Sequence, residues 1–488
     1  VTGSGARRVD PLVVVALVLA LPAVAIVGLR ATIDGAGGDP AAIPVSTTAD
    51  AATDVVEPVL SLRRLAPEFA SQSVAADLAG SLAPVAGEMG DRSCLAVSID
   101  GVPVPGLPDR AVIPASSLKI LVAAAAFEVL GAEHRFVTTV FGAPPVDGVV
   151  DGDLVVVGGG DPLLSGDWYP TSNLDRFPVT DHTSLDALAR SLADAGVDSV
   201  TGRVLGDASR YDDEWYVEEW SSDIRGIEAG PYAALLVNDA RVEGDPYRSD
   251  DPVRAATQEF ARRLAAVGVS TQGPGGRGVA ADGMVELARI ESVPLAGVVA
   301  EMLTTSDNNT AELLVKEIGL TERGRGTRID GLAAVADALE RLGVPVEDLL
   351  LVDGSGLATG NRVRCSTLVG ALGAADPAVA AGLAVLGSTG TLTGVMTEHP
   401  LAGAVAAKTG TLNNFPLDLD PPAVKAFAGM WEGDRDRSVG VTRFALVLNG
   451  PSVSDQSEYR PLWVGLLDAL AAASPGAMDT SLGPRLGP

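Results

Sequence analysis

At 488 residues the chain is too long for one ordinary domain and falls in the range for two or three, and its 47% hydrophobic content, mostly Ala, Val and Leu, excludes a disordered protein. A net charge of -28, with no stretch that concentrates Lys or Arg, excludes a nucleic-acid footprint and a face suited to an anionic membrane surface. Solubility through like-charge repulsion is sufficient reason for that charge.

Residues 11–29 are uncharged and mainly apolar and follow Arg7 and Arg8. Such a run nearly spans a bilayer, which predicts a membrane anchor within 1–33 and the rest of the chain outside the cytoplasm. Cleavage as a signal is the alternative and would leave a secreted protein. Residues 34–84, rich in Ala, Gly, Asp, Thr and Pro, show helical patterning only near Val56–Leu65 and Ala75–Leu82 and read as a tether that can end in a first helix.

CLAVSIDG, 94–101, reads as a strand entering an Asp-Gly turn. SLKILVAAAAFEVLG, 117–131, has no Gly or Pro until its end and predicts a helix buried on most sides, with Ser116 at its N-terminus. From 135 to 300 the texture turns to short β-branched runs such as RFVTTVFG and DLVVVGGG, with helices near 184–195 and 253–267. Beyond 293, helices flank SDNN and a third spans 328–342; AVAAKTG, VKAFAGMW and TRFALVLNG read as strands, and 458–473 as a closing helix. The expected architecture is α+β: one domain from 85–136 and 294–476, an inserted α+β domain over 137–293, and a tail over 477–488.

Cys94 and Cys365 lack metal-ligand spacing and His134, His182 and His399 stand alone, so no metal and no cofactor is assigned. In an oxidising compartment the two cysteines pair if the fold brings them together; two buried thiols are the other reading.

Three short motifs carry chemistry: Ser116-Ser117-Leu118-Lys119, Ser306-Asp307-Asn308 and Lys408-Thr409-Gly410. Each alone is weak, since a Ser-x-x-Lys pair also serves as a helix cap beside a solvated lysine. But the chain has only four lysines, Lys119, Lys316, Lys408 and Lys425, and two of them fall in the motifs.

A residue three places on along a helix shares its face, so the Lys119 amine can approach the Ser116 hydroxyl. Desolvation beside Ile120, Leu121 and the alanine run lowers its pKa and permits a neutral base, and the helix N-terminus favours negative charge developing at Ser116. Ser306 can relay a proton to a leaving amine, and Asn308 can hold a substrate backbone. Asp307 suits a cap or turn as well as the site. Lys408 and Thr409 suit a substrate carboxylate by charge and hydrogen bond, Gly410 lets a peptide approach the strand, and the N–H groups of Ser116 and Thr411 suit an oxyanion hole.

Through this motif set, and through PASSLK, TTSDNNTAELL, VDGSGLATGNR, AAKTGTL and GDLVVVGGGDPLL, the chain closely resembles the D-alanyl-D-alanine carboxypeptidase/endopeptidase family of low-molecular-mass penicillin-binding proteins. The resemblance implies a penicillin-binding, β-lactamase-like domain with an antiparallel five-stranded sheet and helices, interrupted by inserts between the first two motifs. The 190 positions from Ser116 to Ser306 look too few for two full inserts, so one is expected to be reduced or missing. It implies Ser116 as nucleophile, Lys119 as base, Ser306 and Asn308 as the second element and Lys408 with Thr409 as the carboxylate site. Asp353-Gly354-Ser355-Gly356 is read as a turn shaping the cleft edge. The implied partners are peptidoglycan stem peptides, with β-lactams as covalent inhibitors, and the membrane through the N-terminal segment. NNFPLDLDPP, 413–422, departs from the family, which runs from KTGTL straight into a strand.

The resemblance leaves carboxypeptidase and endopeptidase action both open. A β-lactamase is disfavoured, because no glutamate between Ser116 and Ser306 is followed four residues on by Asn. A catalytically idle wall-binding scaffold is the reading from another class, and no motif residue has been lost to support it.

Overall fold

The computed structural model describes residues 67–174, 176–177, 179–414, 421–433 and 440–473. The expected anchor within 1–33, the helical patterning at Val56–Leu65, the tail and most of the NNFPLDLDPP segment lie outside these residues. Among the described residues no helix is long and apolar enough to cross a membrane.

The chain opens on helix α1 (Pro67–Glu88), strand β1 (Cys94–Ile99) and the short β2 (Val102–Pro103), then passes through a 3-10 turn, Ala115–Leu118, into α2 (Lys119–Leu130). Next come β3 (Val137–Gly142), β4 (Leu154–Val157), α3 (Leu185–Asp194), β5 (Val204–Asp207), α4 (Pro252–Ala266), β6 (Pro274–Arg277) and β7 (Val285–Glu291). The chain returns through α5 (Leu295–Thr305), α6 (Asn308–Arg323), α7 (Arg328–Arg341) and α8 (Cys365–Ala374). It closes with β8 (Ala384–Val385), β9 (Val405–Leu412), β10 (Ala423–Trp431), β11 (Thr442–Gly450) and α9 (Gln456–Ala473).

The first sheet has the order β8-β9-β10-β11-β1-β2, antiparallel throughout. It has six strands where the resemblance implies five: four long strands and a strand of only two residues at each edge. Such short edges limit further strand pairing. Side chains alternate between its faces: Ala426, Ala428, Ala445 and Val447 join the core of α2 and α5–α8, while Phe427, Phe444, Leu446 and Leu448 join that of α1 and α9. The small side chains let the alanine-rich α2 come close, and every residue from Ile120 to Ala126 is at most 1% exposed.

Residues 67–84, which the sequence assigns to a tether that can end in a first helix, are most of α1. Ala75, Leu78, Leu82 and Val85, spaced three and four apart, are buried on the sheet. Gly80 and Pro84 within this helix give it the composition of a linker.

Residues 137–291 carry a second, mixed sheet of order β6-β5-β4-β3-β7, with parallel β4–β5 and β5–β6 pairs. Its core packs α3 and α4 on the strands.

Cys94 and Cys365 form a disulfide that ties the start of β1 to the start of α8, 271 residues on. Closing so long a loop restrains the unfolded chain strongly. Replacing both cysteines by Ala is expected to cost roughly 3–5 kcal/mol of stability, read as a lower guanidinium midpoint. An unmoved midpoint would mean that packing alone holds β1 to α8.

Candidate active site

Ser116 sits in the 3-10 turn that feeds α2, just after Ala115, whose φ of 48° places a non-glycine residue in the left-handed region. Two glycines hold this strained turn. A Cβ on Gly356 would fall 2.0 Å from the Ala115 carbonyl oxygen, and one on Gly410 would fall 3.0 Å from the Ser116 nitrogen. The glycines of the Asp-Gly-Ser-Gly turn and of Lys-Thr-Gly are therefore the points where two distant segments touch the serine backbone.

Lys119 is wholly buried at the start of α2. Its Nζ donates to Ser116 Oγ at 3.1 Å, to Asn308 Oδ1 at 2.7 Å and to the Ser355 carbonyl at 2.7 Å. Burial lowers its pKa to about 8, against the pull of the Asp307, Asp353 and Glu312 carboxylates, which favour the charged form.

Asn308 is the first residue of α6, and the reversal between α5 and α6 is built from Ser306, left-handed at φ 70°, and Asp307, which caps α6 by accepting from Thr310 N at 2.6 Å. Asp307 is thus a cap residue. Burial first, and then the Asp239 carboxylate, raise its pKa to about 6. Ser306 and Asn308 line a cavity of about 330 Å³ with Glu228, Asp239 and Glu301. Among the described residues no hydrogen bond joins the Ser306 hydroxyl to Ser116 or Lys119.

Lys408, Thr409, Gly410 and Thr411 follow one another on β9. The strand β8 covers β9 only opposite Ala406 and Ala407, so among the described residues the outer edge from Lys408 onward has no neighbouring strand. Lys408 is fully buried, and its Nζ donates to the Thr409 carbonyl at 2.7 Å. The charge and the hydroxyl that the sequence grouped together face opposite sides of the sheet. Burial and the nearby Lys119 push the Lys408 pKa well below the usual lysine value.

Two contributors were not legible as site residues. The Asp-Gly-Ser-Gly turn does more than shape an edge, since the Ser355 carbonyl is a direct partner of Lys119. Glu312, one helical turn after Asn308, accepts from Gly354 N at 3.1 Å and Ser355 N at 2.8 Å and so fixes that carbonyl. A lone glutamate inside the apolar TAELL run was the available signal. Asp353 completes the turn by accepting from Gly356 N, Ala358 N, Asn361 Nδ2 and, from the inserted segment, Trp220 Nε1.

The inserted segment also bonds to α6. Glu228 O accepts from Asn308 Nδ2 at 2.9 Å, which leaves the Asn308 oxygen turned to Lys119. Arg210 and the Tyr211 hydroxyl donate to the buried Glu317, and Lys316 donates to Asp212. Among the described residues no group of three or more His, Cys, Asp or Glu side chains is placed to hold a metal.

Penicillin binding protein 4 of Haemophilus influenzae superposes with a TM-score of 0.63 at 20% identity, over 80% of this chain and 98% of its own; the fold is that of a penicillin-binding protein. A model of the D-Ala-D-Ala carboxypeptidase 3 (S13) family matches residues 107–245 and 239–470, and the chain belongs to that family. A D-alanyl-D-alanine carboxypeptidase of Actinomadura sp. is 32% identical over 426 residues, covering 70% of this chain and 74% of that protein. A carboxypeptidase of Mycobacterium tuberculosis is 29% identical over 375 residues, covering 71% and 73%.

Gly356→Ala is expected to force the Ala115–Ser116 turn out of place and slow acylation of Ser116 by a β-lactam at least tenfold, with circular dichroism unchanged. Wild-type acylation kinetics in this variant would refute the close-approach argument.

Proposed function

We propose that this family member is a serine-type D-alanyl-D-alanine carboxypeptidase that trims peptidoglycan stem peptides and also cuts cross-linked ones as an endopeptidase. The activity for which the family model and the Actinomadura relative are named supports the substrate. The observation that carries the chemistry is the buried Lys119 amine, 3.1 Å from Ser116 Oγ, with its pKa lowered to about 8.

In this reading neutral Lys119 takes the Ser116 proton as Oγ attacks the carbonyl carbon of the penultimate D-alanine. The N–H groups of Ser116 and Thr411 hold the oxyanion. When the tetrahedral intermediate collapses, its C–N bond breaks and the proton passes from Lys119 through Ser306 to the leaving D-alanine amine. Water then attacks the Ser116 ester, gives a proton back through Lys119, and frees the shortened peptide. Asn308 holds the substrate backbone, Thr409 and Thr411 meet its terminal carboxylate, and Gly410 keeps β9 open to it. β-Lactams acylate the same hydroxyl and leave slowly.

The working form of Lys119 is the neutral one, so the rate of acylation rises with pH through about 8 and levels above it. Asp307→Asn keeps a capping side chain but removes an anion that stabilises the ammonium, so the limb shifts to lower pH. Ser116→Ala abolishes the penicillin adduct seen by mass spectrometry. A pH-independent rate between 6 and 9, or an adduct that persists in Ser116→Ala, contradicts the mechanism.

We further propose that this chemistry takes place outside the cytoplasm, with residues 11–29 as a membrane anchor. A disulfide fits an oxidising compartment, and Arg7 and Arg8 precede the apolar run. Deleting residues 11–29 should move the protein from the membrane to the soluble fraction; retention of the truncated chain at the membrane argues for another mode of attachment.

A further inference from the structure

The register of β9 against β10 sorts the lysines beside the site by face. Residues directly opposite in an antiparallel pair share a side of the sheet, and successive residues alternate. Lys408 and Gly410 pair with Ala428 and Ala426, which belong to the core beneath α2. Thr409 and Thr411 pair with Phe427 and Lys425, and Phe427 belongs to the core beneath α1 and α9. The two hydroxyls assigned above to the substrate carboxylate therefore share their face with Lys425 and not with Lys408.

Side-chain contacts follow the register. Lys425 Nζ donates to Thr411 Oγ1 at 2.9 Å in a bond open to solvent, and the Thr409 and Thr391 hydroxyls are joined at 2.9 Å. The Lys425 ammonium also lies 4.5 Å from the centre of the Tyr459 ring on α9, a contact that restrains the long side chain beside Thr411. Lys408, in contrast, is sealed behind the strand on the Thr409 carbonyl.

We propose that Lys425 is a specificity-determining residue that supplies the positive charge for the substrate's C-terminal carboxylate, beside the hydroxyls of Thr409 and Thr411. This rests on the acyl-transfer reading above. Hydroxyls alone would leave the carboxylate's charge unmatched, whereas a hydrogen bond between ammonium and carboxylate is about twice as strong as one between neutral groups. Burial and the neighbouring Arg460 lower the Lys425 pKa, and an arriving carboxylate opposes both effects by favouring the ammonium.

The test compares two peptides ending in D-alanyl-D-alanine, one with a free terminal carboxylate and one with a terminal amide, on wild type, Lys425→Met and Lys425→Arg. The preference for acid over amide in kcat/KM is expected to fall roughly tenfold to hundredfold in Lys425→Met, mainly through KM, and to return in large part in Lys425→Arg, which keeps the charge. An acid-over-amide ratio within about twofold of wild type overturns the proposal. So does an equal fall on both peptides, which marks a packing role against Tyr459. Penicillin acylation reports on the parent reading separately: if Ser116 of the wild type is acylated and the ratio does not move, only the Lys425 assignment fails, and if Ser116 takes no adduct, both fail.

Discussion

The site depends on keeping one lysine amine out of water. Lys119 is fully buried, and burial penalises its charge. Three acceptors from three segments, Ser116 Oγ, Asn308 Oδ1 and the Ser355 carbonyl, keep the amine satisfied. Three more distant carboxylates, Asp307, Asp353 and Glu312, hold its pKa near 8 instead of letting burial drive it lower. That balance gives a group that is charged or neutral within reach of physiological pH, which a proton acceptor requires.

Each acceptor is placed by a different device. Ser116 is set by a strained turn that only glycines at 356 and 410 allow to be approached. Asn308 is set by a helix start after the left-handed Ser306, and the Glu228 carbonyl fixes which way its amide faces. Ser355 is set by two buried carboxylates, Glu312 on α6 and Asp353 in the turn itself. Since α6 delivers both Asn308 and Glu312, a small rotation of that helix would disturb two of the three contacts at once.

The inserted segment reaches this arrangement too. Trp220 donates to Asp353, Glu228 accepts from Asn308, and Arg210 and Tyr211 bond to Glu317, just past the middle of α6. Buried ionic and polar partners of this kind are costly to leave unpaired. Residues between the first two motifs thus take part in holding the second.

The local grammar of the chain was readable. Apolar period, Gly and Pro punctuation and spacing along a helix gave the helix after Ser116, the pair of helices around Ser306–Asn308 and the three long strands near the C-terminus, because those signals act between neighbours in sequence. Residues 67–84 show their limit, since the helical patterning legible there covers only Ala75–Leu82, whereas the helix starts at Pro67 and is completed by packing of Ala75, Leu78, Leu82 and Val85 on the sheet. By itself the sequence determined the chemistry: a serine, a lysine three residues on, and two further motifs rich in donors. Tertiary structure alone decided that Cys94 meets Cys365, that the Ser355 carbonyl faces Lys119, that Glu312 stands behind it, and that Lys425, not Lys408, shares a face with Thr409 and Thr411. Those facts depend on strand register and on which distant segments pack together, and neither is encoded in the spacing of any one segment.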